Sequence, residues 1–201
     1  MYGEAQLGPQ RFAAGYAIYA HSTPGAAWRV VSGSVRLDRR EPNGEQNFAN
    51  LAIMGDVIGA ETLLLGYYSF TATALTPCLL VPWPVGCRAP ASESLLHSMA
   101  KAERRAAEVI ALRCGQAADR VRHLVMLLAQ RSDVVSNEDS ADLQVVLPPR
   151  QDMADITALT LETVSRMVSR LRHSGMLKPV VRRGCESNST FVVRNLGQAP
   201  F

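Results

Sequence analysis

From Trp28 the chain alternates. In WRVVSGSVRLDRR apolar and polar residues take turns on either side of Gly33, the period-two signature of a half-buried strand. The run ends at EPNGEQ, whose Asn43-Gly44 pair suits the positive-φ positions of a tight hairpin. NFANLAIMGDVIGAETLLL predicts another strand, a turn at Gly55-Asp56 and a second break at Gly59. SFTATALTPCLLVPWP alternates again and is rich in Thr and Val, residues that fit a pleated surface. Residues 1–85 therefore read as short strands punctuated by glycine turns, the pattern of a small antiparallel barrel or jelly roll. Pro82, Pro84 and Pro90 then bring strand structure to an end.

Beyond the prolines the period becomes helical. SESLLHSMAKAERRAAEVIALRC, residues 92–114, is rich in Ala, Leu, Glu and Arg, all good helix formers, with Ser92 or Ser94 available to cap its start. Leu95, Met99, Ala102, Ala106 and Val109 recur at four-three-four-three spacing, and Leu96 and Ile110 widen the stripe. That is a coiled-coil seam, and its central alanines allow a second helix to approach closely, so a homodimer is expected. Gly115 breaks the pattern. QAADRVRHLVMLLAQRS predicts a second helix with Val121, Leu124, Val125 and Leu128 inward. SDVVSNEDSADLQ reads as a polar loop, and LQVVLPP as a short strand closed by two prolines.

The last quarter has a more specific pattern. Pro149 suits the first turn of a helix, and RQDMADITA carries Met153 and Ile156 on an apolar face. Ala158-Leu159-Thr160 reads as a turn, with Thr160 as N-cap of the next helix. In TLETVSRMVSRLRHSGML, Val164, Val168 and Leu171, helped by Met167, form the inward face, and Glu162, Ser165, Arg166 and Ser169 lie opposite. Two short helices joined by a three-residue turn are a helix-turn-helix. LKPVVRRGCESNSTFVVRN adds two β-rich runs around a Gly/Asn/Ser turn, a wing. Ala158 stands where such turns often hold glycine, and because a Cβ at positive φ costs about 1 kcal/mol, a slightly different turn geometry is expected.

Composition sharpens this. With 201 residues and 47% hydrophobic content, the chain can bury a core as one large or two small domains. It has no apolar run near the roughly 18 residues of a membrane span, and MYGEAQLGPQRF lacks a signal-peptide pattern, so a cytoplasmic protein is expected. The net charge of +3 is uneven: residues 1–147 carry 13 Lys+Arg against 14 Asp+Glu, and residues 148–201 carry 8 against 4. The basic excess thus lies with the helix-turn-helix, as a polyanion-binding end requires. The four cysteines show no Cys-x-x-Cys spacing and the four histidines are scattered, so no metal and no cofactor are expected. A metal-dependent cupin barrel would need paired histidines on its strands, where only His21 occurs; an enzyme is not expected.

A recognition helix enters the major groove with its N-terminal residues at base edges. Arg166 can reach guanine O6 and N7, Glu162 can accept from cytosine N4, and Ser165 suits either kind of edge. Arg150, Gln151, Thr160, Thr163, Ser169 and Arg182 are candidates for phosphate and positioning contacts.

The order of elements resembles that of the CRP/FNR superfamily of bacterial transcription regulators over nearly the whole chain. GDVIGAETLLL looks like that family's glycine-and-acid turn in the effector pocket, and ETVSR resembles the FNR/FixK branch more than the cyclic-AMP branch. The resemblance implies an α+β chain: a β-roll sensor (1–91), a dimerisation helix (92–115) and a winged helix-turn-helix (116–201). It implies that Glu162, Ser165 and Arg166 read a TTGAT-type half-site of a palindromic operator in double-stranded DNA. It also implies a dimer that activates transcription by touching RNA polymerase.

The departures concern the effector. Cyclic-AMP receptors place an arginine and a serine where this chain has Tyr68-Ser69, and no arginine lies between Glu61 and Cys78. Their pocket-facing hydroxyls on the dimer helix are replaced near Arg105 and Ala106. Gly59, Glu61, Tyr68, Ser69 and Arg105 then mark a vestigial pocket without a phosphate clamp. No cysteine precedes Cys78, against an iron–sulfur cluster, and no histidine lies between His21 and His97, against haem. DNA binding without an effector is expected; the alternative is a regulator that needs an unidentified ligand, haem or redox signal. Cys185, in the wing, is the candidate redox residue.

Overall fold

The alternation of the first eighty residues becomes two four-stranded sheets in a computed structural model, which describes residues 8–83, 91–131, 143–182 and 185–194. The side chains of 91–94, 130–131, 181–182 and 185–188 lie outside that description. The strands are β1 (Gln10–Phe12), β2 (Ala17–Tyr19), β3 (Ala27–Ser32), β4 (Ser34–Arg40), β5 (Gln46–Ile53), β6 (Val57–Ile58), β7 (Thr71–Ala74) and β8 (Cys78–Trp83), with a one-turn helix α1 (Thr62–Leu65) after β6. One sheet runs β1-β8-β3-β6, the other β2-β7-β4-β5, and their pairings are antiparallel. Successive strands β3 and β4 fall in different sheets, as in a jelly-roll-like β-roll. The Asn43-Gly44 hairpin forms between β4 and β5: Arg40 pairs with Gln46, and the Gly44 N–H donates to the Glu41 carbonyl at 2.9 Å.

Period two explains the core. In β7 the alanines 72 and 74 are buried, and the threonines 71 and 73 are only partly so. Val30, Val35, Ala72 and Leu80 are fully enclosed between the sheets, and each buried Val or Leu is worth about 1.5–3 kcal/mol. The strands β1 and β2, three residues each, were not distinguished by pattern.

The chain divides into two units, Met1–Ile110 and Ala111–Phe201. The helix expected over 92–114 is α2 (Ala91–Ala111), nearly all of it in the first unit. Arg105 fastens it to the roll: Nε donates to Asp56 Oδ2 at 2.9 Å, and Nη1 donates to Glu108 Oε2. Asp56, in the turn before β6, also accepts the Ile53 N–H at 3.0 Å.

The second unit contains α3 (Ala117–Leu128), β9 (Gln130–Arg131), β10 (Leu143–Val146), α4 (Arg150–Thr157), α5 (Leu161–His173), β11 (Leu177–Arg182) and β12 (Cys185–Val193). Its sheet runs β11-β12-β10-β9. The three helices pack on one another around Val121, Leu124, Val125, Met153, Ile156 and Val164, none of them accessible. Details differ from expectation. Pro149 is the N-cap of α4, extended at ψ 145°, one position earlier than the first turn. Leu171 is only partly buried. The wing strands pair from Leu177↔Val193 to Arg182↔Cys185, so the Glu-Ser-Asn-Ser stretch expected as a turn lies in β12. The polar loop expected after α3 falls mostly outside the described residues. Among the described residues no helix is long and apolar enough to cross a membrane.

Candidate nucleic-acid interface

Residue types explain the turn between α4 and α5. Ala158 adopts φ 51° and ψ 46°, left-handed, and the N–H groups of Ala158 and Leu159 both donate to the Ala154 carbonyl. The customary glycine geometry is thus kept by an alanine, at a cost of about 1 kcal/mol. Thr160 caps α5 as expected. Its Oγ1 accepts the Thr163 N–H at 3.2 Å, and its hydroxyl donates to Thr163 Oγ1 at 2.9 Å. This satisfies one of the orphan donors at the helix start.

The two faces of α5 then separate. Val164, Met167 and Val168 are buried. Glu162, Arg166, Ser169 and Arg170 are exposed, and Ser165 is half-exposed. Glu162, Ser165 and Arg166 thus share one strip at the N-terminal end of α5. Leu161, at its edge, is 49% exposed.

The positioning candidates are less uniform. Arg150 is half-buried, with Nη1 3.4 Å from Met153 Sδ. Burial, and then the nearby charge of Arg172, hold its guanidinium below the usual arginine range. Arg172 itself lies over the Phe191 ring, 5.8 Å from the centroid. Arg172 was missed by sequence reasoning, although the basic last turn of α5 (Arg170, Arg172, His173) was the available signal. Gln151 donates to Asp155 Oδ1 at 2.9 Å within its own helix, and the Thr160 and Thr163 hydroxyls are engaged in the cap. The side chains of Arg182 and Cys185 lie outside the described residues.

In the β-roll, Gly59, Glu61, Tyr68 and Ser69 do come together. The Ser69 N–H donates to Glu61 Oε1 at 3.0 Å. Tyr68 is buried, stacked on Tyr19 with ring centroids 3.7 Å apart and planes 4° from parallel. Its hydroxyl donates to the Ala26 carbonyl at 2.7 Å. Gly25 and Gly59 make room for this ring: a Cβ on Gly59 would lie 2.6 Å from Tyr68 Cε1, and one on Gly25 would overlap the phenol end. Arg105 is committed instead to Asp56 and Glu108. Tyr19 was not foreseen, since its strand is too short to carry a pattern. Its hydroxyl is buried without a hydrogen-bond partner among the described residues. Burial, then Glu61 and then Tyr68 raise its pKa far above the ordinary tyrosine value.

Along α2, Leu95, Met99, Ala102, Ala106 and Ile110 are exposed, as is Leu96. Val109 is 6% exposed, buried within the chain itself and so out of this stripe. Cys78 is a buried free thiol and Cys114 an exposed one. No group of three His, Cys, Asp or Glu among the described residues could hold a metal ion.

Comparison with known proteins follows this layout. The family model for bacterial regulatory proteins of the crp family matches residues 149–177, and that for the cyclic nucleotide-binding domain matches residues 9–86. The nitrogen fixation regulation protein FixK of Azorhizobium caulinodans is 32% identical over 163 residues, 77% of this chain and 64% of its own. The transcriptional activator protein FnrL of Cereibacter sphaeroides is 30% identical over 156 residues, 74% of this chain and 63% of its own. The chain thus spans a little under two thirds of the length of these relatives. The crystal structure of FixK2 from Bradyrhizobium japonicum superposes with a TM-score of 0.62 at 25% identity, covering 93% of this chain and 92% of that one.

Proposed function

Because this chain belongs to the CRP/FNR superfamily of bacterial transcription regulators, we propose that it is a dimeric, sequence-specific DNA-binding regulator of the cytoplasm whose α5 reads the major groove. The observation that carries this is the solvent-facing strip of Glu162, Ser165 and Arg166 at the capped end of α5. Arg166 reaches guanine, Glu162 accepts from cytosine, and Ser165 meets a neighbouring base. The exposed Leu161 suits a thymine methyl beside them. Arg150 and Arg172 hold a phosphate, and Ser169, Thr163, Gln151 and Arg182 add positioning contacts. The target is a TTGAT/ATCAA palindrome, whose half-sites meet two recognition helices one turn, roughly 34 Å, apart. The exposed stripe of α2, from Leu95 to Ile110, supports the dimer. The activator named among the relatives supports activation, through contact with RNA polymerase.

The filled roll supports effector-free binding. Tyr68, stacked on Tyr19 and bonded to Ala26, occupies the space beside Glu61 and Gly59. The second reading, a regulator awaiting an unidentified ligand, haem or redox signal, rests on the buried Tyr19 hydroxyl and on Cys185. Fluorescence anisotropy of ligand-free, metal-free protein on the palindrome and on a scrambled duplex, at fixed salt, tests both. Tight, selective binding is expected. Equal weak binding to both duplexes would favour the second reading.

A further inference from the structure

The carbonyls at the end of α4 have an unusual set of partners. A helix leaves its last four carbonyls without intrahelical donors. In α4 the Ala154 carbonyl is met by the N–H groups of Ala158 and Leu159. The other three are met by two arginines, Arg113 in the link between α2 and α3 and Arg120 in the first turn of α3. Arg113 donates from Nη2 to the Asp155 carbonyl at 3.2 Å and from Nε to the Ile156 carbonyl at 3.3 Å. Arg120 donates from Nη1 to the Thr157 carbonyl at 3.2 Å. The Nε of Arg120 reaches the Gly115 carbonyl at 3.0 Å.

One guanidinium therefore spans two joints. Gly115, at φ 81°, is where the chain turns into α3, and Thr157 directly precedes Ala158, at φ 51°. Ala158 sets the direction in which α5 leaves α4. A planar fork with several fixed donors can hold two carbonyls in a set geometry, which an ammonium on a flexible stem does not. The positive charge also suits the C-terminal end of the α4 dipole. A base-reading side chain must be held to within about half an ångström to keep its contact. We propose that Arg120, seconded by Arg113, is a positioning residue for DNA reading: it ties the α4–α5 turn to the start of α3 and so fixes how Glu162, Ser165 and Arg166 are presented. This rests on the proposed DNA-binding function. Neither arginine is one of the residues assigned to bases or phosphates.

The test compares wild type, Arg120→Ala and Arg120→Lys in the full chain, well below the unfolding temperature. Three quantities are read: the affinity ratio between palindrome and scrambled duplex, the slope of log affinity against log salt, and amide exchange at Ala158 and Leu159 without DNA. Both variants are expected to lose about five- to a hundredfold in the ratio, the span of one lost bidentate base contact. Their salt slopes should match wild type, and exchange at Ala158 and Leu159 should be faster. A slope lower by about 1 would identify Arg120 as a phosphate contact and overturn the proposal. Recovery of the ratio by lysine would show that charge alone suffices, and would overturn it too. A lower unfolding temperature with an unchanged ratio would reduce Arg120 to a helix cap, also against it. If Arg120→Ala does not fold, Arg120→Lys and Arg113→Lys carry the comparison. If wild type itself shows no preference for the palindrome, effector-free reading of that sequence fails, and the exchange rates alone decide whether the arginines hold the turn.

Discussion

Replacing Ala158 by glycine should stabilise the protein, and the size of the gain follows from the backbone. At φ 51° and ψ 46° the alanine Cβ crowds the following carbonyl, at a cost of about 1–2 kcal/mol that glycine avoids. Against this, glycine frees the unfolded chain, a penalty of about 0.4–1 kcal/mol. Ala158 is exposed, so deleting its methyl forfeits little burial, and both hydrogen bonds to the Ala154 carbonyl come from backbone N–H groups that remain. The balance lies between about 0 and 1.6 kcal/mol, a net gain of about 0.8 kcal/mol at the centre of the two ranges. With a urea dependence of about 1–3 kcal/mol per molar, that raises the midpoint by about 0.2–1 M without altering the slope. Urea unfolding of the full chain by circular dichroism measures it, with Ala158→Val as a control that should move the midpoint down. A lower midpoint for Ala158→Gly would mean that residue 158 is not left-handed in solution, and the account of the turn would fail.

Three further outcomes are expected. Arg166→Ala should weaken binding to the palindrome by about 1–3 kcal/mol and relax base preference at one position of each half-site; anisotropy against single-base variants checks this, and intact preference would remove Arg166 from the reading face. Tyr19→Phe should be neutral or stabilising in thermal unfolding, because an unpartnered buried hydroxyl carries a desolvation penalty of about 1–3 kcal/mol, whereas Tyr68→Ala should cost about 3–5 kcal/mol; a large loss from Tyr19→Phe would reveal a partner for its hydroxyl. Burial pushes the Cys78 thiol from 9.0 up to about 11, so the unfolded thiol ionises first, and its contribution to stability, full below pH 9, is lost as pH rises from 9 to 11. Unfolding free energy should fall more steeply through that window in wild type than in Cys78→Ala, and parallel curves would contradict the burial argument.

Much of the fold was legible because local rules and tertiary structure agree. The Asn43-Gly44 hairpin, the Thr160 cap and the buried face of α5 each follow from a few neighbouring residues, whereas the alanine at 158 pointed to a different turn from the left-handed one that forms. What escaped depends on long-range pairing. The strands β1, β2 and β9 are too short for a period to register and exist because other strands offer them edges. Arg105 looked like a pocket residue by its place in the chain, yet its length carries the guanidinium to Asp56. Val109 sits on the seam by spacing, but its side chain is buried within the chain. The residues that read bases were visible as types on one helical face; the arginines meeting the ends of α4 were not, because carbonyl partners leave no mark in side-chain spacing.

The ring of Tyr68 leaves a signature beyond this molecule. Its slot exists only because positions 25 and 59 carry no Cβ, so the three positions are one evolutionary character. A drift of either glycine to alanine would have to follow the loss of the ring. Descendants and cousins of this chain that carry an aromatic residue at 68 should therefore keep glycine at both 25 and 59, whereas loss of the ring releases position 25 alone, since Gly59, at φ 70°, favours glycine in either case.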